Sequence, residues 1–232
     1  MAGSEIRIDG PDGEFMGYLA KPDSGRGPGL VVIQEIFGVN RVMRDLTDGF
    51  AAAGYVALCP DLFWRQEPGI QLSDHREDEW RRALEFDQAF DADRGIADIR
   101  ATLAAVRAEE GCTGKAGAVG YCLGGMLAYL SATRTDTDAG VGYYGIGIET
   151  RLLEADRIGA PLMLHIAERD SFVASEAQAR IREALARHPR VTLHSYPEAE
   201  HAFARPGGDH YDAEAARLAD DRTAEFLHRH LS

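Results

Sequence analysis

The chain has 232 residues, 45% of them hydrophobic and 27% charged, with 38 acidic against 25 basic side chains and a formal net charge of −13. That length suits one α/β domain with a sizeable core, and no apolar run approaches the length of a membrane span. The negative balance disfavours nucleic acid and anionic membrane surfaces, because no basic stripe opposes it.

The chain opens with Met1-Ala2-Gly3-Ser4-Glu5-Ile6, which has neither a basic nor an apolar leader region, so no secretory signal and a cytoplasmic location are expected. Residues 6–8 and 15–20 flank Asp9-Gly10-Pro11-Asp12-Gly13 and read as a hairpin. After a loop over 21–29, Leu30-Val31-Val32-Ile33 is a continuous apolar run of the sort buried on both faces of a parallel sheet. Gln34-Glu35-Ile36-Phe37-Gly38 leaves its end. Residues 41–53 carry the pattern of an amphipathic helix closed by Gly54, and 55–59 that of a strand stopped by Pro60.

Residues 61–94 turn polar, hold Trp64, Pro68, Gly69 and Trp80, and read as a cap-like excursion with one helix over 73–90. A helix over 96–108 leads to a small-residue strand over 116–119 and a helix over 123–132. Gly140-Val141-Gly142-Tyr143-Tyr144-Gly145 is a short strand and turn. Strands over 161–167 and 191–196 are separated by a helix over 175–187, and a helix over 212–230 closes the chain. The alternation predicts a single α/β domain over 1–232: a mostly parallel central sheet, helices on both faces and a short cap segment at 61–94.

Cys122 falls on the turn from strand to helix, flanked by Gly120 and Gly124 in the G-x-nucleophile-x-G pattern, with cysteine in place of serine. So sharp a turn strains its central residue and leaves no room for side chains two positions away. The thiol would sit at a helix N-terminus, where the positive dipole end favours a thiolate, and the Leu123 N–H is placed to donate to an oxyanion. Most free cysteines are small buried hydrophobes, but the glycines and the strand-to-helix context favour chemistry here. Cys59, Cys112 and Cys122 are odd in number and lack paired spacing, which argues against a disulfide framework and suits a reducing compartment.

Functional residues of such sheets lie just past the carboxyl ends of strands. The strand over 161–167 runs into Glu168-Arg169-Asp170, and that over 191–196 into Pro197-Glu198-Ala199-Glu200-His201. The order nucleophile, acid, histidine is that of α/β-hydrolases. His201 would take the thiol proton and Asp170 would fix the ring's tautomer. Glu168 competes for the acid role, and Asp170 could instead cap the next helix. The other seven histidines fit worse, His165 and His194 lying inside strands. HExxH and paired Cys-x-x-Cys spacings are absent, so no metal or organic cofactor is expected. Glu35 occupies the region that supplies a second oxyanion donor, here the Ile36 N–H, and could hold the thiol neutral or oppose its ionisation until substrate displaces it.

Gln34-Glu35-Ile36-Phe37-Gly38-Val39-Asn40, Cys59-Pro60-Asp61-Leu62, Gly120-Tyr121-Cys122-Leu123-Gly124-Gly125, Gly142-Tyr143-Tyr144-Gly145 and Glu200-His201-Ala202-Phe203-Ala204-Arg205 together resemble the dienelactone hydrolase family over nearly the whole chain. The resemblance implies the α/β-hydrolase fold and a carboxymethylenebutenolidase-type lactonase. Cys122 would attack the ring ester carbonyl, His201 and Asp170 would assist, Glu35 would gate the thiol, and water would hydrolyse the thioester. Family members grip the substrate carboxylate with two arginines. Arg205 matches the first; ungapped counting puts the second at Trp80, with Arg81 one step, or about 100°, round a helix. Arg81 and Arg82 also suit i,i+4 pairing with Glu77 and Asp78 on a solvated face. Phe37, Trp80 and Phe63 would line an apolar pocket or join the core, and Tyr143 is counted with Arg205, Arg81, Phe37 and Trp80 as substrate-binding. The expected partner is a small lactone or ester, met by a monomer or weak homo-oligomer. The alternatives are a broader carboxylesterase or thioesterase using the same residues, a binding module that has lost turnover, and a nucleotide-binding protein, for which the P-loop Lys-Ser/Thr is missing.

Overall fold

The opening hairpin turns on two residues: β1 (Ser4–Gly10) and β2 (Gly13–Ala20) pair antiparallel, Gly10 opposite Gly13. This computed structural model describes residues 3–232, so the reading of the amino-terminal run falls partly on Met1 and Ala2, outside the described residues. By its internal contacts the chain divides into two compact units, Met1–Ala118 and Val119–Ser232.

In the first unit β3 (Gly27–Ile33) is buried along almost its whole length. It leads to α1 (Arg41–Ala52), whose first turn is capped by the Asn40 side chain accepting from the Met43 N–H at 3.1 Å. Gly54 reverses the chain just past the helix with φ +103°. The strand that follows, β4 (Val56–Pro60), includes the proline expected to stop it. Pro60 lies opposite Gly17 of β2, and the next amide, Asp61 N–H, donates to the Met16 carbonyl at 2.9 Å, so pairing continues around the missing donor.

The excursion holds α2 (Glu77–Gln88), which starts four residues later than the sequence pattern predicts. The Ser73 N–H is taken by the Glu79 carboxylate at 2.7 Å and the His75 N–H by the Ser73 hydroxyl at 3.2 Å. These side chains hold 73–76 in a turn, and the helix begins where Glu77, Asp78 and Glu79 meet its positive dipole end. The next helix, α3 (Ala92–Ala108), starts a turn early because the Asp91 carboxylate accepts from the Asp93 and Arg94 N–H groups. It therefore absorbs the last residues of the expected excursion. Buried Asp98 on α3 receives the Trp64 indole N–H at 3.0 Å and the Arg65 guanidinium, fastening the excursion to the unit's core.

From the first unit β5 (Cys112–Tyr121) runs into the second, where α4 (Leu123–Arg134), β6 (Gly140–Tyr143), β7 (Leu162–Ala167), α5 (Ser175–Leu185), β8 (Val191–Tyr196) and α6 (Ala213–Leu231) follow. Two 3₁₀ turns, Ile148–Thr150 and Leu152–Arg157, lie between β6 and β7, where the sequence pattern gave no element. Strand order is β1-β2-β4-β3-β5-β6-β7-β8 in one eight-stranded sheet. It is mostly parallel, with the β1/β2 hairpin as its antiparallel edge. In the second unit, register sets Tyr143, His165 and His194 side by side across β6, β7 and β8. No helix among the described residues is long and apolar enough to cross a membrane.

Candidate active site

The turn from β5 into α4 fixes the conformation of Cys122, which has φ 56° and ψ −116°. Side-chain-bearing residues rarely adopt positive φ, and the surroundings must hold it. A Cβ on Gly120 would lie 1.9 Å from the Gly124 carbonyl oxygen, and one on Gly125 2.5 Å from that of Tyr143. Only glycine lets strand and helix pass so closely. The Cys122 N–H donates to the Tyr143 carbonyl at 3.1 Å, while its own carbonyl accepts from Gly125 and Met126 and starts the helix. Leu123, the first helical residue, presents an N–H that α4 itself does not use.

His201 lies in the loop between β8 and α6, its Nδ1 2.8 Å from Asp170 Oδ2. Asp170 follows β7, and its other oxygen accepts from the Phe172 N–H at 2.8 Å and the Val173 N–H at 3.3 Å. The carboxylate is thus locked by its own loop, and α5 begins beyond it with Ala174 at its cap position. Glu168 is occupied elsewhere, paired to Arg182 at 3.0 Å. Asp170 and His201 are both buried. Burial would press the imidazolium pKa down, but the Cys122 sulfur and the Asp170 carboxylate, both hydrogen-bonded to the ring, raise it to about 10. Tyr144 and Phe172 pack edge-on to the imidazole, ring centres at 5.1 and 4.8 Å.

Three non-glycine residues among those described have positive φ: Cys122, Tyr144 and Ala202. One is the thiol, one packs on the imidazole and one adjoins it, so backbone strain is concentrated around this pair. Tyr143, read from the sequence as substrate-binding, is turned the other way. It is fully buried, with its hydroxyl on Asp220 and Thr223 of α6. Its neighbour Tyr144 is the one that meets His201, since adjacent residues at a strand end face opposite sides. Tyr144 was visible only as part of the Gly-Tyr-Tyr-Gly turn, and Phe172 only by its place two residues beyond the acid. Arg205, four residues past His201, is a buried cation at 7% exposure.

The remaining expected residues belong to the first unit. Glu35 and Ile36 are buried, and Phe37 packs against Trp80 at 5.3 Å between ring centres. Phe63 is core, stacked on Phe86. Arg81 takes the solvated assignment, exposed and 3.2 Å from Glu77. Arg82 pairs with Glu67 rather than Asp78, which Arg76 holds at 2.9 Å. Of the other thiols, Cys59 is pushed far above the ordinary range by burial and then by the charge of Asp61, and Cys112 is half-buried. Among the described residues no group of three or more His, Cys, Asp or Glu side chains is arranged to hold a metal ion.

A profile of the dienelactone hydrolase family matches residues 15–231. The chain is 49% identical over 228 residues to an Azospirillum brasilense protein provisionally named a carboxymethylenebutenolidase, covering 96% of each chain. It is 42% identical over 217 residues to the carboxymethylenebutenolidase of Pseudomonas sp. strain P51, covering 94% of this chain and 91% of that one. Among solved structures it is similar to a Klebsiella pneumoniae subsp. pneumoniae protein provisionally named a dienelactone hydrolase, with a TM-score of 0.87, 25% identity and 98% of each chain covered.

Proposed function

The chain belongs to the dienelactone hydrolase family and is a hydrolase of carboxylic esters with the α/β-hydrolase fold, and from that premise we propose that it opens a lactone of the carboxymethylenebutenolide type by attack of the Cys122 thiolate. The observation that carries the reading is the continuous contact from Cys122 through His201 to Asp170 at a strained strand-to-helix turn.

With both neighbours against it, His201 accepts the thiol proton and holds it as imidazolium. The thiolate adds to the ester carbonyl, and the oxyanion forms next to the Leu123 N–H at the start of α4. Collapse expels the ring oxygen of the opened lactone as an enolate, which takes the proton from His201. The thioester left on Cys122 is cleaved by water, from which His201 withdraws a proton. Asp170 keeps Nδ1 protonated so that Nε2 faces the reacting atoms. Arg205 supplies a fixed positive charge for a substrate carboxylate. Glu35 and Ile36 enter on sequence grounds alone, the first as a restraint on the thiol and the second as a further oxyanion donor. A reducing, cytoplasmic setting suits a free thiol nucleophile.

Hydrolysis of dienelactone and of p-nitrophenyl acetate by the wild type and by Cys122→Ala tests the reading. Loss of at least about a thousandfold in the variant is expected; retained turnover of either substrate would remove the thiol from the mechanism. Iodoacetamide labelling against pH, mapped to the Cys122 peptide, reads Glu35 in the same preparation. Glu35→Gln is expected to move the labelling profile, and an unmoved profile removes the restraint. A marked preference for p-nitrophenyl acetate would favour the broader esterase.

A further inference from the structure

Behind the strained turn the second unit holds six polar side chains in one hydrogen-bonded line. Arg222 on α6 lies 3.2 Å from the Tyr196 hydroxyl of β8, which lies 2.8 Å from His165 Nδ1 on β7. His165 Nε2 is 2.9 Å from the Thr223 hydroxyl, Thr223 2.6 Å from the Tyr143 hydroxyl, and Tyr143 3.0 Å from an Asp220 carboxylate oxygen. The line leaves α6 at Arg222, passes β8 and β7, touches α6 again at Thr223 and runs through β6 to the opposite charge of Asp220, two residues from its start. Tyr143, His165, Tyr196 and Thr223 are all buried.

Its ends set its direction. A guanidinium only donates and a carboxylate only accepts. Arg222 therefore gives a proton to the Tyr196 oxygen, which gives its own to His165 Nδ1. His165 donates from Nε2 to Thr223, Thr223 to Tyr143, and Tyr143 to Asp220. The reverse order needs a protonated Asp220 and leaves the Tyr196 proton with no acceptor among the described residues. Burial, reinforced by the charges of His194 and Arg222, lowers the His165 pKa well below the ordinary value and keeps the ring neutral. Burial also raises the Tyr143 hydroxyl well above its usual range, so it stays a donor.

Two members of the line also carry the backbone of the candidate site. The Tyr143 carbonyl accepts from the Cys122 N–H, and the His165 carbonyl accepts from the N–H of Tyr144, the positive-φ residue packed on His201. We propose that this one-directional chain fixes His165 in its neutral Nε2–H tautomer and makes His165 and Thr223 positioning residues for Cys122 and Tyr144. The positioning half rests on Cys122 being the nucleophile; the tautomer does not.

The test combines ¹⁵N NMR of the histidine rings with kinetics of Thr223 variants. In both wild type and Cys122→Ala, His165 should show a protonated Nε2 and a bare Nδ1 at neutral pH. A protonated Nδ1 overturns the direction. Thr223→Val keeps the shape and removes the hydroxyl; it is expected to lower kcat on p-nitrophenyl acetate about tenfold, with KM within about twofold. Thr223→Ser should restore most of the loss. An unchanged kcat in Thr223→Val overturns the positioning role, and so does an equal loss in both variants, which would mark packing of the methyl group. If Cys122→Ala stays active while the tautomer is as stated, the reaction proposal fails and the chain stands. Tyr143→Phe, which breaks the same line one link further on, replaces Thr223→Val if that protein does not fold.

Discussion

A histidine enclosed as His201 is would ordinarily stay neutral, because burial disfavours the imidazolium. Here its neighbours outweigh burial, and the pKa rises to about 10. A group whose folded pKa exceeds its unfolded value of about 6.5 holds its proton more tightly in the folded state. That contribution to stability is complete below about pH 6.5, declines above it and is gone once pH passes the folded value. His201→Gln lacks it. Urea unfolding of both proteins across this range should therefore show a wild-type advantage that shrinks as pH rises. A difference that stays constant would mean that the imidazolium is not stabilised by Cys122 and Asp170. The sequence pointed to His201 and Asp170 by their positions after strands, and the family resemblance named Asp170, while position alone did not rank it over Glu168. The choice is made by an Asx turn, in which the Phe172 and Val173 N–H groups orient the Asp170 carboxylate, and by Arg182, which occupies Glu168.

At the scale of the element, the turn between β5 and α4 leaves no room for a side chain at Gly120. Gly120→Ala would drive a methyl group to 1.9 Å from the Gly124 carbonyl oxygen, which is backbone and cannot swing aside. Overpacking of this kind costs about 3 kcal/mol or more, equivalent to a fall in Tm of about 6–12 °C. A melting point within about 2 °C of wild type would show that strand and helix can separate at this point. Strands and helices were legible by period and by glycine. Their starts were less so, because side chains set them: Asp91 begins α3 early, and Glu79 delays α2 by holding Ser73 in a turn. Pro60 ends its strand as expected but as the last residue of β4 rather than the first beyond it, because it pairs opposite Gly17 while the Asp61 N–H bonds Met16.

For the whole molecule, the formal charge of −13 repels an anionic lactone at long range. Arg205, buried in the loop that carries His201, is the residue proposed to oppose that charge at short range. Arg205→Ala is expected to raise KM about tenfold or more for dienelactone, which carries a carboxylate, and less than about twofold for p-nitrophenyl acetate, which does not. Equal effects on the two substrates would assign Arg205 to packing. Arg81 does not enter this expectation, since its side chain is exposed to solvent.

The sequence by itself determined the alternation of strands and helices, the turn that carries Cys122, and the chain order of thiol, acid and histidine. These are local patterns or positions relative to strand ends, and period, glycine spacing and capping chemistry record them directly. The tertiary structure supplied the contacts by which Asp170 rather than Glu168 meets His201, and alone decided which of two adjacent tyrosines faces it. It also decided that Tyr143, His165, Tyr196 and Thr223 form one line. Such choices turn on strand register and on contacts between residues up to 80 positions apart, and neighbouring residues of a strand face opposite sides. A displacement of one residue exchanges site for core, and only the packed sheet and α6 fix which of the two each residue joins.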